Sequence, residues 1–195
     1  ELALIDVLDM GMPLADATYF SVNLSIESLR YNAGWCGKIT GETVDVSVPD
    51  TLAYTLMEPL GVVGAISPWN TPLMDVVIKL APALAAGCTV VLKPAEITPL
   101  SAHRLGQLIE QIGFPPGVVN IVPGFGNVAG QALVEHPLVD KITFTGSTAV
   151  GQQIVRTAAA TMKRVTLELG GKSPVYIFPD ADLELAIPMT AFLIF

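Results

Sequence analysis

Apolar residues change their spacing twice along this chain, near residue 36 and again near residue 59. Over residues 1–35 they recur at helical intervals, with one break at Gly11-Met12-Pro13. The spacing predicts a first helix through Leu2, Leu4, Ile5 and Leu8. A second follows the break, with Asp16 or Thr18 as its candidate cap, and carries Val22, Leu24, Ile26 and Leu29 towards Tyr31 and Trp35. Residues 38–58 alternate instead. Thr43 to Val48 predicts a strand, and Leu52 to Met57 another. From Pro59 onward, short apolar runs alternate with helical ones. Strands are predicted at 61–66, 88–92, 118–122, 141–144 and 164–169, and helices at 72–86, 101–112, 127–135 and 148–161. Apolar strands separated by helices predict an α/β fold, a doubly wound parallel sheet covered on both faces. Each predicted strand ends in a small or polar cluster, and such clusters line one edge of a parallel sheet, where ligands bind.

Composition makes the reading sharper. Of 195 residues, 51% are hydrophobic and only 14% charged, which is the profile of an interior rather than of a whole soluble domain. The chain opens on Glu1 inside a helical pattern and stops in the apolar run Leu185 to Phe195. It is therefore expected to be a fragment truncated at both ends. A net charge of −8 with scattered basic residues argues against nucleic acid and anionic membranes as partners. The most apolar stretch, Val76 to Leu92, is interrupted by Lys79, Pro82 and Gly87 and does not predict a membrane span. Two distant cysteines, Cys36 and Cys88, suggest no disulfide framework and a reducing, cytoplasmic setting. Both read as buried, inert thiols. His103 and His136 lack metal-ligand spacing and read as surface or capping residues; no metal site is predicted.

Several segments carry candidate chemistry. In Val165 to Pro174 a lone carboxylate, Glu168, sits between Leu167 and Leu169 and runs into Gly170-Gly171. Burying it ionised is costly, so it is expected either to be paired or to work as a base with a raised pKa. Gly124-Phe125-Gly126-Asn127-Val128-Ala129-Gly130 approaches a dinucleotide-binding fingerprint, with its last interval one residue too long. A plain loop-to-helix turn fits it as well. Phe144-Thr145-Gly146-Ser147-Thr148 opens a helix, with Gly151 five residues after Gly146, but Gln152 stands where a P-loop needs lysine. Its backbone N–H groups could hold a pyrophosphate. Lys93 and Glu96 flank Pro94-Ala95 and read either as a solvated ion pair or as a pair recognising ribose hydroxyls. Asn70, in the proline-bracketed loop Pro68 to Pro72, is either a turn residue or an oxyanion donor.

Taken together and in this order, Pro68-Trp69-Asn70, Lys93-Pro94-Ala95-Glu96, Pro123-Gly124-Phe125-Gly126, Phe144-Thr145-Gly146-Ser147-Thr148 and Leu167-Glu168-Leu169-Gly170-Gly171-Lys172-Ser173-Pro174 resemble the aldehyde dehydrogenase superfamily. The resemblance spans the chain and is strongest from Glu58 to Asp182. It implies a Rossmann-like cofactor domain, incomplete here, that binds NAD, with NADP possible. It implies that Asn70 is the oxyanion donor and Glu168 the base that activates water. Lys93, Ala95 and Glu96 are implied at the adenosine ribose, and Ile66, Ser67, Pro68 and Trp69 along the cofactor. Gly126, Gly130 and Val150 are implied near the adenine. Phe144, Thr145, Gly146 and Ser147 belong to the pyrophosphate segment, and Leu169 and Gly170 to the nicotinamide side. The same resemblance divides the chain into N-terminal helices and strands (1–58), a dinucleotide-binding domain (59–169) and the start of a catalytic domain (170–195). The catalytic cysteine of such enzymes is expected beyond Phe195. The parent would oxidise an aldehyde to an acid as a homodimer or homotetramer. A non-catalytic nucleotide-binding remnant is the alternative; retained Asn70 and Glu168 argue against it. Glu168 also argues against an acylating relative, which needs no water-activating base.

Overall fold

The computed structural model describes residues 1–192. The chain begins with α1 (Leu2–Met10), which ends at Gly11 in a left-handed cap with φ of +82°. Pro13 then starts a second helical run: α2 (Leu14–Asp16), a π-helical turn (Ala17–Val22) and α3 (Asn23–Ala33). Asp16 and Thr18 lie inside this run, so neither is the cap that the sequence predicts. The proline at its entry, with φ −55°, has no N–H to leave unsatisfied. The strands β1 (Thr43–Val44) and β2 (Ala53–Tyr54) pair as a short antiparallel ribbon. Both are shorter than predicted. Pro49 and Asp50, the latter at φ +54°, turn the chain back before Asp45 to Val48 can join the ladder. Cys36 is exposed just after α3, contrary to expectation, whereas Cys88 is buried.

The remaining elements alternate as the pattern predicts: β3 (Val62–Ile66), α4 (Pro72–Ala85), β4 (Thr89–Lys93), α5 (Leu100–Gln111), β5 (Val119–Ile121), α6 (Gln131–Glu135), β6 (Lys141–Gly146), α7 (Thr148–Ala158), β7 (Arg164–Leu169) and α8 (Leu183–Phe192). A π-helical turn, Gly126–Gly130, leads into α6. The five strands form one parallel sheet in the order β5-β4-β3-β6-β7. The chain winds outward from β3 to β5, then returns to the other side of β3 and winds outward again. Strand direction is constant, but the helices change face at that return.

Alternation along β3 separates the two cores. Val63 and Ala65 pack with Val76, Leu80, Val90, Leu92 and Ala102 beneath α4 and α5. Val62 and Ile66 pack with Leu133, Ile142, Phe144 and Ile154 beneath α6 and α7. Full burial of a side chain such as Leu80, Leu92 or Ile142 contributes about 1.5–3 kcal/mol. Two glycines permit the close approach of helices on the second face. A Cβ at Gly64 would meet Leu133 Cγ at 3.0 Å, and one at Gly151 would meet Leu169 Cδ2 at 2.7 Å.

Covering is not complete on the first face. β7 is an edge strand, and its Arg164, Thr166 and Glu168 are exposed. The expectation that Glu168 is buried between its leucines is therefore corrected: Leu167 turns towards the core and Glu168 to the opposite, open side. Beyond β7 the segment up to α8 has no regular structure and is mostly exposed, and Leu185 and Ile187 of α8 stand in solvent. The last part of the predicted apolar run, residues 193–195, lies outside the described residues.

Candidate active site

Where the winding reverses, between β3 and β6, the carboxyl ends of the strands part and leave a crevice of about 1200 Å³. Every candidate catalytic and cofactor-binding residue named from the sequence lines it. Ile66, Ser67, Pro68, Trp69 and Asn70 come from the end of β3 and its loop; Lys93, Ala95 and Glu96 from the end of β4. Gly126 and Gly130 form the ends of the π-helical turn. Phe144, Thr145, Gly146, Ser147 and Val150 follow β6 into α7, and Glu168, Leu169 and Gly170 end β7.

The loop after β3 is held on both sides. Ser67 N–H donates to Lys93 O at 3.1 Å, continuing the ladder past the strands, and Thr98 Oγ1 donates to Trp69 O at 3.3 Å. Pro72 occupies the first turn of α4, where no N–H is missed. Asn70 is thereby exposed at the mouth. Ser67 Oγ is buried and has no hydrogen-bond partner among the described residues. A buried hydroxyl left unsatisfied at a crevice wall costs free energy that a ligand can recover.

Lys93 Nζ donates to Glu96 Oε2 at 2.8 Å. The ammonium is 4% exposed and the carboxylate 40%, so the lysine is drawn in while the glutamate faces the opening. The Lys93 hydrogen bond, aided by backbone N–H groups including that of Gly126, holds the Glu96 carboxyl below the usual carboxylate range. Across the crevice Ser147 is the N-cap of α7; its Oγ accepts from Val150 N–H at 3.4 Å. The positive end of that helix dipole faces the opening.

Glu168 pairs across the ladder with Thr145. Thr145 Oγ1 accepts from Lys79 Nζ at 2.6 Å, and the same ammonium donates to Asp75 Oδ2 at 2.5 Å. Burial pushes the Asp75 carboxyl above the usual range, against the pull of Lys79. Sequence reasoning took Lys79 only as an interruption of an apolar run; the Asp75/Lys79 interval of four on a buried helix was the available signal. It also missed Asn127, Gln131, Val134, Gln153 and Ile154 on the wall. These lie within one or two helical turns of Gly126 and Val150, and helix period alone would have found them. Gln153 Nε2 donates to Gln131 Oε1 at 3.2 Å, tying α7 to α6. Neither cysteine lines the crevice. No helix of the described residues is long and apolar enough to cross a membrane, and no group of three or more His, Cys, Asp or Glu among them could hold a metal ion.

Comparison with known proteins agrees with this architecture. The model of the aldehyde dehydrogenase family matches residues 1–195. An aldehyde dehydrogenase of Enchytraeus buchholzi is 53% identical over 191 residues, 97% of this chain and 38% of that protein. Human retinaldehyde dehydrogenase 3 is 52% identical over 187 residues, 95% of this chain and 36% of that protein. The structure of the NAD+ complex of aldehyde dehydrogenase from Bacillus cereus superposes with a TM-score of 0.93 at 53% identity, covering 96% of this chain and 38% of that one. The chain thus spans under two-fifths of the length of these relatives. With a family model matched along its whole length and these identities, the chain belongs to the aldehyde dehydrogenase family.

Proposed function

We propose that this chain is the cofactor-binding part of an enzyme that oxidises an aldehyde to a carboxylic acid with NAD. The observation that carries the reading is the crevice itself: it gathers a ribose-type Lys93–Glu96 pair, the N-terminus of α7, an amide at Asn70 and a free-standing carboxylate at Glu168. The fit to a dinucleotide rests on three features. The volume exceeds the ~300–1,000 Å³ of common small-ligand pockets. Ser67 Oγ waits unsatisfied in the wall. Glu96 presents an ionised carboxylate to the opening, which accepts from ribose hydroxyls and repels a 2′-phosphate; this favours NAD over NADP. Gly146, Ser147 and the first turn of α7 suit the pyrophosphate, and Val150 and Gly130 the adenine end.

Bound NAD supplies the hydride acceptor. Asn70, at the mouth, would donate its amide N–H to the oxygen of the reacting carbonyl as charge develops there. Glu168, solvated and at the end of β7, would take a proton from the water that releases the acid. The nucleophile comes from elsewhere in the full-length protein: Cys88 is buried under the sheet, Cys36 stands just after α3, and neither lines the crevice. We place the enzyme in the cytoplasm, which its two unpaired cysteines suit. Exposed apolar side chains such as Leu185 and Ile187 fit a parent that buries them against a catalytic domain in a homodimer or homotetramer.

Glu168→Gln in the full-length protein tests the assignment. It is expected to leave a first burst of NADH and to slow steady turnover by about 10²–10⁴-fold. Unchanged steady turnover would remove Glu168 from the mechanism. The chain by itself is expected to bind NAD but to form no NADH from short aldehydes, because its crevice has no thiol. Sustained NADH formation by the purified chain would contradict this.

A further inference from the structure

On the open face behind Glu168 lies a buried pair of charges that the reaction above does not use. Asp75 and Lys79 sit one turn apart on α4, each side chain 5% exposed. The Lys79 ammonium bridges the Asp75 carboxylate and the Thr145 hydroxyl. Thr145 stands directly across the ladder from Glu168, so the bridge ends on the neighbour of the proposed base. The charge of Glu168 adds to burial in pushing the Asp75 carboxyl up, in keeping with this placement. Stability does not account for the pair, since well-packed apolar residues serve a buried helix as well or better.

We propose that Asp75 is a positioning residue for the general base: it holds the Lys79 ammonium against Thr145 and so sets how much positive charge Glu168 faces while taking a proton from water. The proposal rests on the reading of Glu168 as that base. The charged groups around Glu168 on this face are few. α4 contributes Asp75 and Lys79; β6 contributes the uncharged Thr143 and Thr145, with Lys141 at its far end; β7 itself contributes Arg164, also at the far end. α7 packs on the opposite face of β7, through Gly151 and Ile154. Lys172, just beyond the strand, donates to Gly171 O.

The test is the pH dependence of steady aldehyde oxidation by the full-length protein. Asp75→Asn leaves the Lys79 charge undiluted and is expected to move the acid limb to lower pH by about half a unit or more. Lys79→Gln removes that charge and is expected to move the limb the other way. If either single variant does not fold, the exchange Asp75→Lys with Lys79→Asp keeps a pair but sets the carboxylate beside Thr145, and the limb is expected to rise. Limbs that stay in place, or that shift in one direction for both single changes, would overturn the proposal. Glu168→Gln separates the two layers of the argument. If it abolishes the acid limb while Asp75→Asn leaves that limb unmoved, the positioning role alone has failed. If the limb survives Glu168→Gln, the base assignment has failed and takes the positioning role with it.

Discussion

Two lysine–carboxylate pairs stand at the crevice, one in its wall and one behind Thr145, and they behave in opposite ways. Lys79 and Asp75 are both buried, and burial raises the Asp75 carboxyl despite the ammonium beside it. Lys93 is equally buried, but its partner Glu96 faces the opening, and the lysine lowers that carboxyl. The chemical pair is the same. What differs is whether the acid keeps its water. A carboxylate that stays hydrated remains charged and available to a ligand; one that is enclosed is committed to its partner.

The sharpest way to break this contrast is Lys79→Met in the full-length protein. It strands Asp75 in the interior and is expected to cost about 3 kcal/mol of stability, read from thermal or denaturant unfolding. Replacing both partners by apolar residues, Asp75→Leu with Lys79→Met, is expected to restore most of that loss. Lys93→Met leaves Glu96 in contact with water and is expected to cost about 1 kcal/mol or less of stability. If both lysines proved equally important for folding, the contrast would be lost.

A smaller effect concerns the cofactor. Glu96→Gln is expected to weaken NAD about tenfold, the worth of a charge-assisted hydrogen bond, and to weaken NADP less; fluorescence titration measures both. The smallest effect is in pH. Because Lys93 lowers the Glu96 carboxyl from 4.5, the carboxylate persists below that pH, and NAD affinity is expected to hold as pH falls to 4.5 and fail only beneath it. Asp75 has the opposite sign. Its carboxyl is raised above 3.8, so the folded chain favours its protonated form, and its influence on stability worsens as pH rises from 3.8 through the raised value. Asp75→Asn is expected to flatten that slope, measured by denaturant unfolding across the same pH range.

Much of the fold was legible because it is written locally. Five apolar strands and four helices after Pro59 follow from period, and the small-residue clusters after each strand mark the edge where the crevice opens. What was not legible depends on neighbours distant in sequence. Glu168 between two leucines reads as buried until the strand order makes β7 an edge. Asp16 and Thr18 have good capping side chains, but Pro13 begins the helix before either. Gln131 and Gln153 carry no motif, although helix period from Gly126 and Val150 points to them; that they bond to each other depends on α6 packing beside α7. Asp75 and Lys79 were visible as an interval of four, but Thr145, 66 residues from Lys79, gives that interval a destination.

The central position of β3 has a consequence for how the molecule assembles. β3, β4 and β5 are consecutive strands, each joined to the next by a crossover through one helix, whereas β6 must reach the free edge of β3 across the two intervening strands and their helices. The crevice straddles that late seam, so the ligand site is expected to come into being last. Pulsed hydrogen exchange during refolding should protect the amides of β4 before those of β6. Simultaneous protection would mean that the two halves of the sheet form in one step. A dinucleotide present during refolding would then act on the final closure, trapping the seam once it has formed without hastening the half that precedes it.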